Sequence, residues 1–142
     1  MKIFEPNSAQ LVEMLDECGL PIADIGSEKQ QHFIACGRHF SPDAVVGLEA
    51  HKQYGLLRSL AVRKHARSKG FGRQLVREIE KIAIDREIDT LYLLTTTAAN
   101  YFKKLGYERV DRAEVPDAIK RTEEFSQLCP DDAEVMKKNL DS

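Results

Sequence analysis

Apolar positions along the chain switch between two periods, and each switch marks an element. Lys2 to Phe4 reads as a short strand halted at Pro6, since proline drives its predecessor out of the helical region. Leu11, Met14, Leu15 and Cys18 then recur at helical spacing behind a cap at Asn7 or Ser8, and Gly19 and Pro21 stop the run. The spacing predicts a helix over Ala9 to Cys18. From Gln30 the pattern becomes β-type: Gln30 to Arg38, Asp43 to His51 and Gly55 to Val62 are joined by short segments with turn formers such as Ser41, Pro42 and Asp43. Connections this short imply an antiparallel meander.

The longest amphipathic stretch follows Gly72, with Phe71, Leu75, Ile79, Ile82 and Ala83 on one stripe and charged residues opposite, and it ends near Arg86. Thr90 to Thr95 is a compact apolar run with β-branched ends. A strand at this distance behind a helix suggests a parallel crossover. A short helix over Ala98 to Leu105 stops at Gly106, Glu108 to Val110 reads as strand, Pro116 opens another short helix, and Ala133 to Asn139 reads as the last strand. With no repeat or linker visible, residues 1–142 are expected to form one α/β domain with a mixed sheet.

Composition narrows the class. The 142 residues carry 21 basic and 23 acidic side chains, a net charge of −2, and are 42% hydrophobic and 31% charged. That balance belongs to a globular chain and excludes disordered or low-complexity readings. No apolar run approaches the about 18 to 20 residues of a membrane-spanning helix, and no apolar signal region follows Met1, so no membrane partner and a cytoplasmic location are expected. Near-neutral charge argues against a protein built to grip nucleic acid, which needs many phosphate-neutralising cations. Cys18, Cys36 and Cys129 are widely spaced with no C-x-x-C, so reduced thiols are the expectation. His32, Cys36 and His39 do not make a metal set: on a strand 32 and 36 share a face while 39 points away, and a fourth ligand is missing. His51 and His65 are expected at the surface.

The chemistry concentrates between Leu60 and Leu75. An apolar strand ends at Leu60, Ala61 and Val62, a basic, glycine-containing turn follows, and the long helix starts there. Amides at a helix start lack intrahelical partners and, with the helix dipole, bind anions. Gly70 and Gly72 leave room for phosphate oxygens, Ser68 and Phe71 complete the turn, and Arg67, Lys69 and Arg73 supply positive charge. The spacing is neither G-x-G-x-x-G nor G-x-x-x-x-G-K-[ST].

The pattern present, Arg67-x-x-Gly70-x-Gly72, resembles the R/Q-x-x-G-x-G/A segment of the Gcn5-related N-acetyltransferase superfamily, where it holds the pyrophosphate of acetyl-CoA. Phe102-Lys103-Lys104-Leu105-Gly106-Tyr107 is similar to the aromatic-x-x-x-G-[FY] segment that closes the CoA site there. Leu57 to Val62, Leu91 to Ala98, Val110-Asp111-Arg112, Val115-Pro116 and Cys129-Pro130 resemble the subfamily associated with arsenic resistance. The Leu-Thr-Thr block is also similar to the acetyltransferase domain of N-acetylglutamate synthases. These resemblances imply a single-domain fold with a mixed, mostly antiparallel sheet flanked by helices, acetyl-CoA as cosubstrate without a metal, and transfer of acetyl to the amine of a small amino-acid-like molecule.

The same likeness assigns roles by position. Backbone groups of Leu60 and Val62 would meet the thioester arm, and Thr95 corresponds to a hydroxyl residue that helps hold water in the synthases. The synthases' base is a Glu where this chain has Leu56, so Glu49 on the preceding strand becomes the candidate base, against the alternative of a solvated strand carboxylate. Simple alternation puts Arg58 on the face of Leu56, Leu60 and Val62 unless a bulge shifts the register; it would bind a substrate carboxylate or form an ion pair. Ser59 reads as packing. The superfamily's acid, a Tyr, falls at Phe102, with Tyr101 adjacent but turned by about 100° on a helix. Two other functions stand beside the enzyme: a CoA-binding sensor without catalysis, and an acetyltransferase acting on protein lysine. Related folds often dimerise, so a homodimer is an open expectation.

Overall fold

A computed structural model describes residues 2–20, 31–38, 41–122, 125 and 133–140. Gln30, His39 and the Cys129-Pro130 pair lie outside the described residues. The elements are β1 (Ile3–Phe4), α1 (Ser8–Glu17), β2 (Gln31–Gly37), β3 (Pro42–His51), β4 (Tyr54–Val62), a 3₁₀ turn (Lys64–Ala66), α2 (Phe71–Asp85), β5 (Thr90–Thr95) and α3 (Ala99–Lys104). They continue with β6 (Glu108–Arg109), a second 3₁₀ turn (Arg112–Glu114), α4 (Asp117–Lys120) and β7 (Glu134–Asn139).

One sheet in the order β1-β2-β3-β4-β5-β7-β6 organises the chain. Every pairing is antiparallel except β4 with β5, the strands joined through α2. The expected meander and the single parallel crossover are both present. Asn7 caps α1 reciprocally with Gln10: the Gln10 N–H donates to Asn7 Oδ1 at 2.8 Å and the Asn7 N–H to Gln10 Oε1 at 3.1 Å.

Helices cover both faces. Leu75, Val76, Ile79 and Ala83 of α2, with Ala99 and Phe102 of α3, pack on Ile34, Val46, Leu48, Leu57, Leu91 and Leu93. On the opposite face α1 places Leu11, Met14 and Leu15 against Ala35, Val45 and Ala61. Beside it, Ile119 of α4 and Val115 close over Leu56, Tyr92 and Val135. The sheet is thus buried on both sides, and its central strands read as continuous apolar runs for that reason.

Two irregularities in β4 position the site. Val45 pairs with Ala61 and Gly47 with Arg58, so β4 carries one more residue than β3 across this step. Ser59, with φ of 59°, lies in that bulge. Pairing of β4 with β5 stops at Leu56 and Tyr92, and beyond this point the two strands separate.

Candidate functional site

The helix start is open. Gly70 occupies the cap position of α2 with φ of 83°, and no side chain caps the first turn. Ser68 before it is also left-handed, with φ of 67°. The first intrahelical bond of α2 runs from Gln74 N–H to Gly70 O at 3.1 Å, so the amides ahead of it have no partner within the helix. Arg67 ties the turn back to the strand through Nε–H to Val62 O at 3.1 Å.

The two glycines serve different ends. A Cβ at Gly70 would meet nothing within 4 Å, so its requirement is the left-handed backbone. At Gly72 the space is the issue: a Cβ there would lie 2.6 Å from the Tyr101 hydroxyl.

A cleft of about 1190 Å³ collects these groups. Leu60, Ala61 and Val62, the whole turn from Arg67 to Arg73, and Tyr101 line it. The Arg63 N–H donates to Asp43 O on β3 at 2.8 Å, so by strand alternation the Val62 and Leu60 amides point away from β3, toward the gap that opens beside β5. Main-chain donors therefore border the gap where β4 leaves its neighbour.

Phe102 departs from its expected place. It is 6% exposed and packs in the α2-side core, its ring edge-to-face with Tyr107 at 5.7 Å, and it is not among the residues lining the cleft. Tyr101, 40% exposed, takes the cleft position instead. The physical reason is the angular step between neighbours on α3, which sends one ring inward when the other faces out. Burial pushes the Tyr101 phenol above its ordinary range, although Arg73 opposes the shift, so it stays protonated near neutrality.

Across the sheet stands a different assembly. Arg58 and Glu49 are 2% and 1% exposed, and Arg58 Nη1 donates to Glu49 Oε1 at 3.1 Å. Arg58 Nε also donates to Ser59 Oγ at 3.1 Å, and His51 Nε2 lies 2.8 Å from the other Glu49 oxygen. Glu49 is directly paired with Leu56 across the strands. The solvated-carboxylate reading of Glu49 does not hold: it is buried and clamped from two sides. Simple alternation also misplaces Arg58, because the bulge puts Leu56 and Arg58 on one face and turns Leu60 and Val62 to the α2 face. His51, expected at the surface, is half-buried in this network, whereas His65 is exposed and bonded to Asp43.

Thr95 is not brought to that assembly. It shares strand parity with Leu91 and Leu93, on the α2 side, and its hydroxyl accepts the Ala98 N–H at 2.9 Å. It shapes the turn from β5 into α3. Among the residues weighed as metal ligands, His32 meets Glu5 and Arg86, and Cys36 is fully buried, its thiol pushed up to about 11 by burial.

The cleft extends beyond the motif. Cys18 at the end of α1, Arg77 and Glu80 on α2, Lys104 and Leu105 of α3, and Lys138 of β7 also line it. Arg77 follows Arg73 at the helical i, i+4 spacing, a signal legible in the sequence. Lys138 had no local cue, since β7 reaches the site only through its pairing with β5.

Comparison with known proteins points the same way. A stretch of 65 residues is 34% identical to an uncharacterised N-acetyltransferase of Chlorobaculum tepidum, 46% of this chain and 41% of that one, so the similarity spans about two fifths of the relative's length. The fold superposes on N-acetylglutamate synthase from Neisseria gonorrhoeae, complexed with coenzyme A and N-acetyl-glutamate, with a TM-score of 0.79 and 18% identity over 99% of this chain and 35% of that one. It also superposes on a GNAT-family acetyltransferase from Staphylococcus aureus Mu50, TM-score 0.77 and 19% identity, over 99% of both chains. At these identities the structural likeness establishes the fold. Residues 28–109, more than half of the chain, match the acetyltransferase (GNAT) domain model, and the chain belongs to the GNAT acetyltransferase family.

Proposed function

We propose that this chain is an N-acetyltransferase that moves acetyl from acetyl-CoA to the amine of a small amino-acid-like molecule. The observation that carries the reading is the uncapped start of α2, opening into a cleft that also takes in the end of β4. Its donors suit the ligand: free amides and Arg67, Lys69 and Arg73 match a diphosphate, and Leu60 and Val62 offer main-chain donors beside the gap that separates β4 from β5.

Acetyl-CoA would supply an acyl group already activated as a thioester. The α2 amides hold the diphosphate, and the amides of Val62 and Leu60 donate to the thioester carbonyl oxygen as its charge grows. The acceptor amine meets the thioester at this gap. Its nitrogen forms the new bond to the acyl carbon as the bond to sulfur breaks. The nitrogen loses one proton and sulfur gains one. Sulfur takes its proton from solvent or from Tyr101, whose protonated hydroxyl lies in the same cleft beside Gly72, and solvent accepts the amine proton, since Glu49 is already engaged by Arg58 and His51. A small amine as acceptor, and any link to arsenic resistance, rest on the sequence resemblance.

Thiol release from acetyl-CoA in the presence of a panel of amino acids and analogues tests the proposal. Turnover with one compound class supports it. Cofactor-dependent thermal stabilisation with no turnover across the panel would favour a CoA sensor, and absence of CoA binding at millimolar concentration would sink both readings.

A further inference from the structure

The cleft holds more positive charge than a diphosphate requires. Among the described residues that line it, Glu80 is the one carboxylate, and its charge is already answered: Lys138 Nζ lies 3.1 Å from both its oxygens, and the Tyr107 hydroxyl donates to it at 2.9 Å. Arg67, Lys69 and Arg73 stand around the open helix start. Arg77 and Lys104 remain, and neither forms an ion pair with a described residue.

Arg77 projects from α2 four residues beyond Arg73, a rise of about 6 Å, and Lys104 lines the same cleft from α3. Both are exposed, and they share one concave surface with the phosphate turn. A nucleotide with its 5′-diphosphate on the helix start and its ribose running toward Arg77 would stay within the same cleft. The ribose holds its 3′-oxygen a comparable distance from its 5′-oxygen.

We propose that Arg77 and Lys104 form a second anion subsite that takes the 3′-phosphate of the CoA nucleotide, so that the cleft selects CoA over its 3′-dephospho form. The inference rests on the reading of this cleft as an acetyl-CoA site and adds the residues that decide which nucleotide is accepted. Arg77 supplies a planar fork suited to phosphate oxygens, and Lys104 a point charge from α3.

Calorimetric titration of the full chain with CoA and with 3′-dephospho-CoA tests this. Wild type is expected to prefer CoA by about tenfold or more, as charge-assisted contacts to a phosphate dianion allow. In the Arg77→Ala, Lys104→Ala double variant the preference falls to about twofold or less, while 3′-dephospho-CoA binds as it does to wild type, which also shows that the variant is folded. Equal binding of the two nucleotides to wild type, or a preference that survives in the double variant, overturns the subsite alone. Failure of wild type to bind either nucleotide overturns the acetyl-CoA reading and the subsite with it.

Discussion

On the α2 side of β4 the working groups are main-chain amides and cations open to a cleft; on the other side, two residues back along the same strand, Arg58 is sealed out of solvent with Glu49 of β3. The first region is arranged to receive charge from outside, and its own cations repel one another until something anionic arrives. The second satisfies itself: an ion pair at 3.1 Å, a histidine on the far carboxylate oxygen and a serine hydroxyl beneath the guanidinium. One strand therefore carries a receptor and a strut, and the bulge at Ser59 separates them. Similar residue types in the two places have opposite jobs because burial, rather than identity, decides whether a charge is available.

The largest effect that would sharpen this contrast is on stability. Arg58→Ala leaves Glu49 buried without its cation and is expected to cost about 3–5 kcal/mol, read by calorimetry as a fall in Tm of about 10 °C. A Glu49→Leu, Arg58→Met double variant should recover most of the loss. If Arg58→Ala instead keeps wild-type stability and abolishes acetyl transfer, the strut is a substrate contact and the contrast breaks.

Next comes the receptor. Gly72→Leu drives a side chain into the Tyr101 hydroxyl and is expected to raise the apparent KM for acetyl-CoA by about tenfold or more. Gly70→Val acts through its left-handed backbone, at about 1–2 kcal/mol. An unchanged KM in both would remove the phosphate turn from the site. Thr95→Ala loses the bond from the Ala98 N–H and should destabilise by about 1 kcal/mol, with Thr95→Ser close to wild type. A drop in kcat without loss of stability would return Thr95 to the chemistry.

The smallest effect is on pH dependence, at the strand end that leads into the turn. Burial alone would raise the Asp43 carboxyl, but the hydrogen bond with His65 and the charge of Arg38 outweigh it and hold it below the usual range. Its contribution is therefore complete above the unfolded-state value and fades as pH falls through that value toward the depressed one. The Tm difference between wild type and Asp43→Asn, about 1 kcal/mol or less in stability at pH 7, should shrink by pH 3. A difference that is constant over this range would show that the carboxylate charge has no role.

Much of the α2-side region is legible in the residues, because it is local. Arg67, Gly70 and Gly72 lie within six positions, behind a strand and ahead of an amphipathic helix, and the strand and helix bounds follow from period and glycine placement. The opposite face is less so. Arg58 alternates with Leu60 and Val62 on paper, and only a non-glycine residue at φ of 59° reverses them. No propensity marks Ser59 for that conformation, since the geometry is imposed by β3 alongside. Glu49 and Arg58 are nine residues apart, and their meeting depends on hairpin register, as the exchange of Tyr101 for Phe102 depends on a step of one position around a short helix. What a turn encodes is written in order along the chain; what a sheet encodes is written across it.

The inserted residue in β4 behaves as a spacer. Removing Ser59 would leave Val45 opposite Ala61 and Gly47 opposite Arg58, and each downstream side chain would stay on its present side. Only the extra residue, with its left-handed backbone, would be lost from β4. Which face each side chain of β4 takes is thus fixed by two rungs and not by the residue between them, so that residue can be exchanged while both faces keep their occupants.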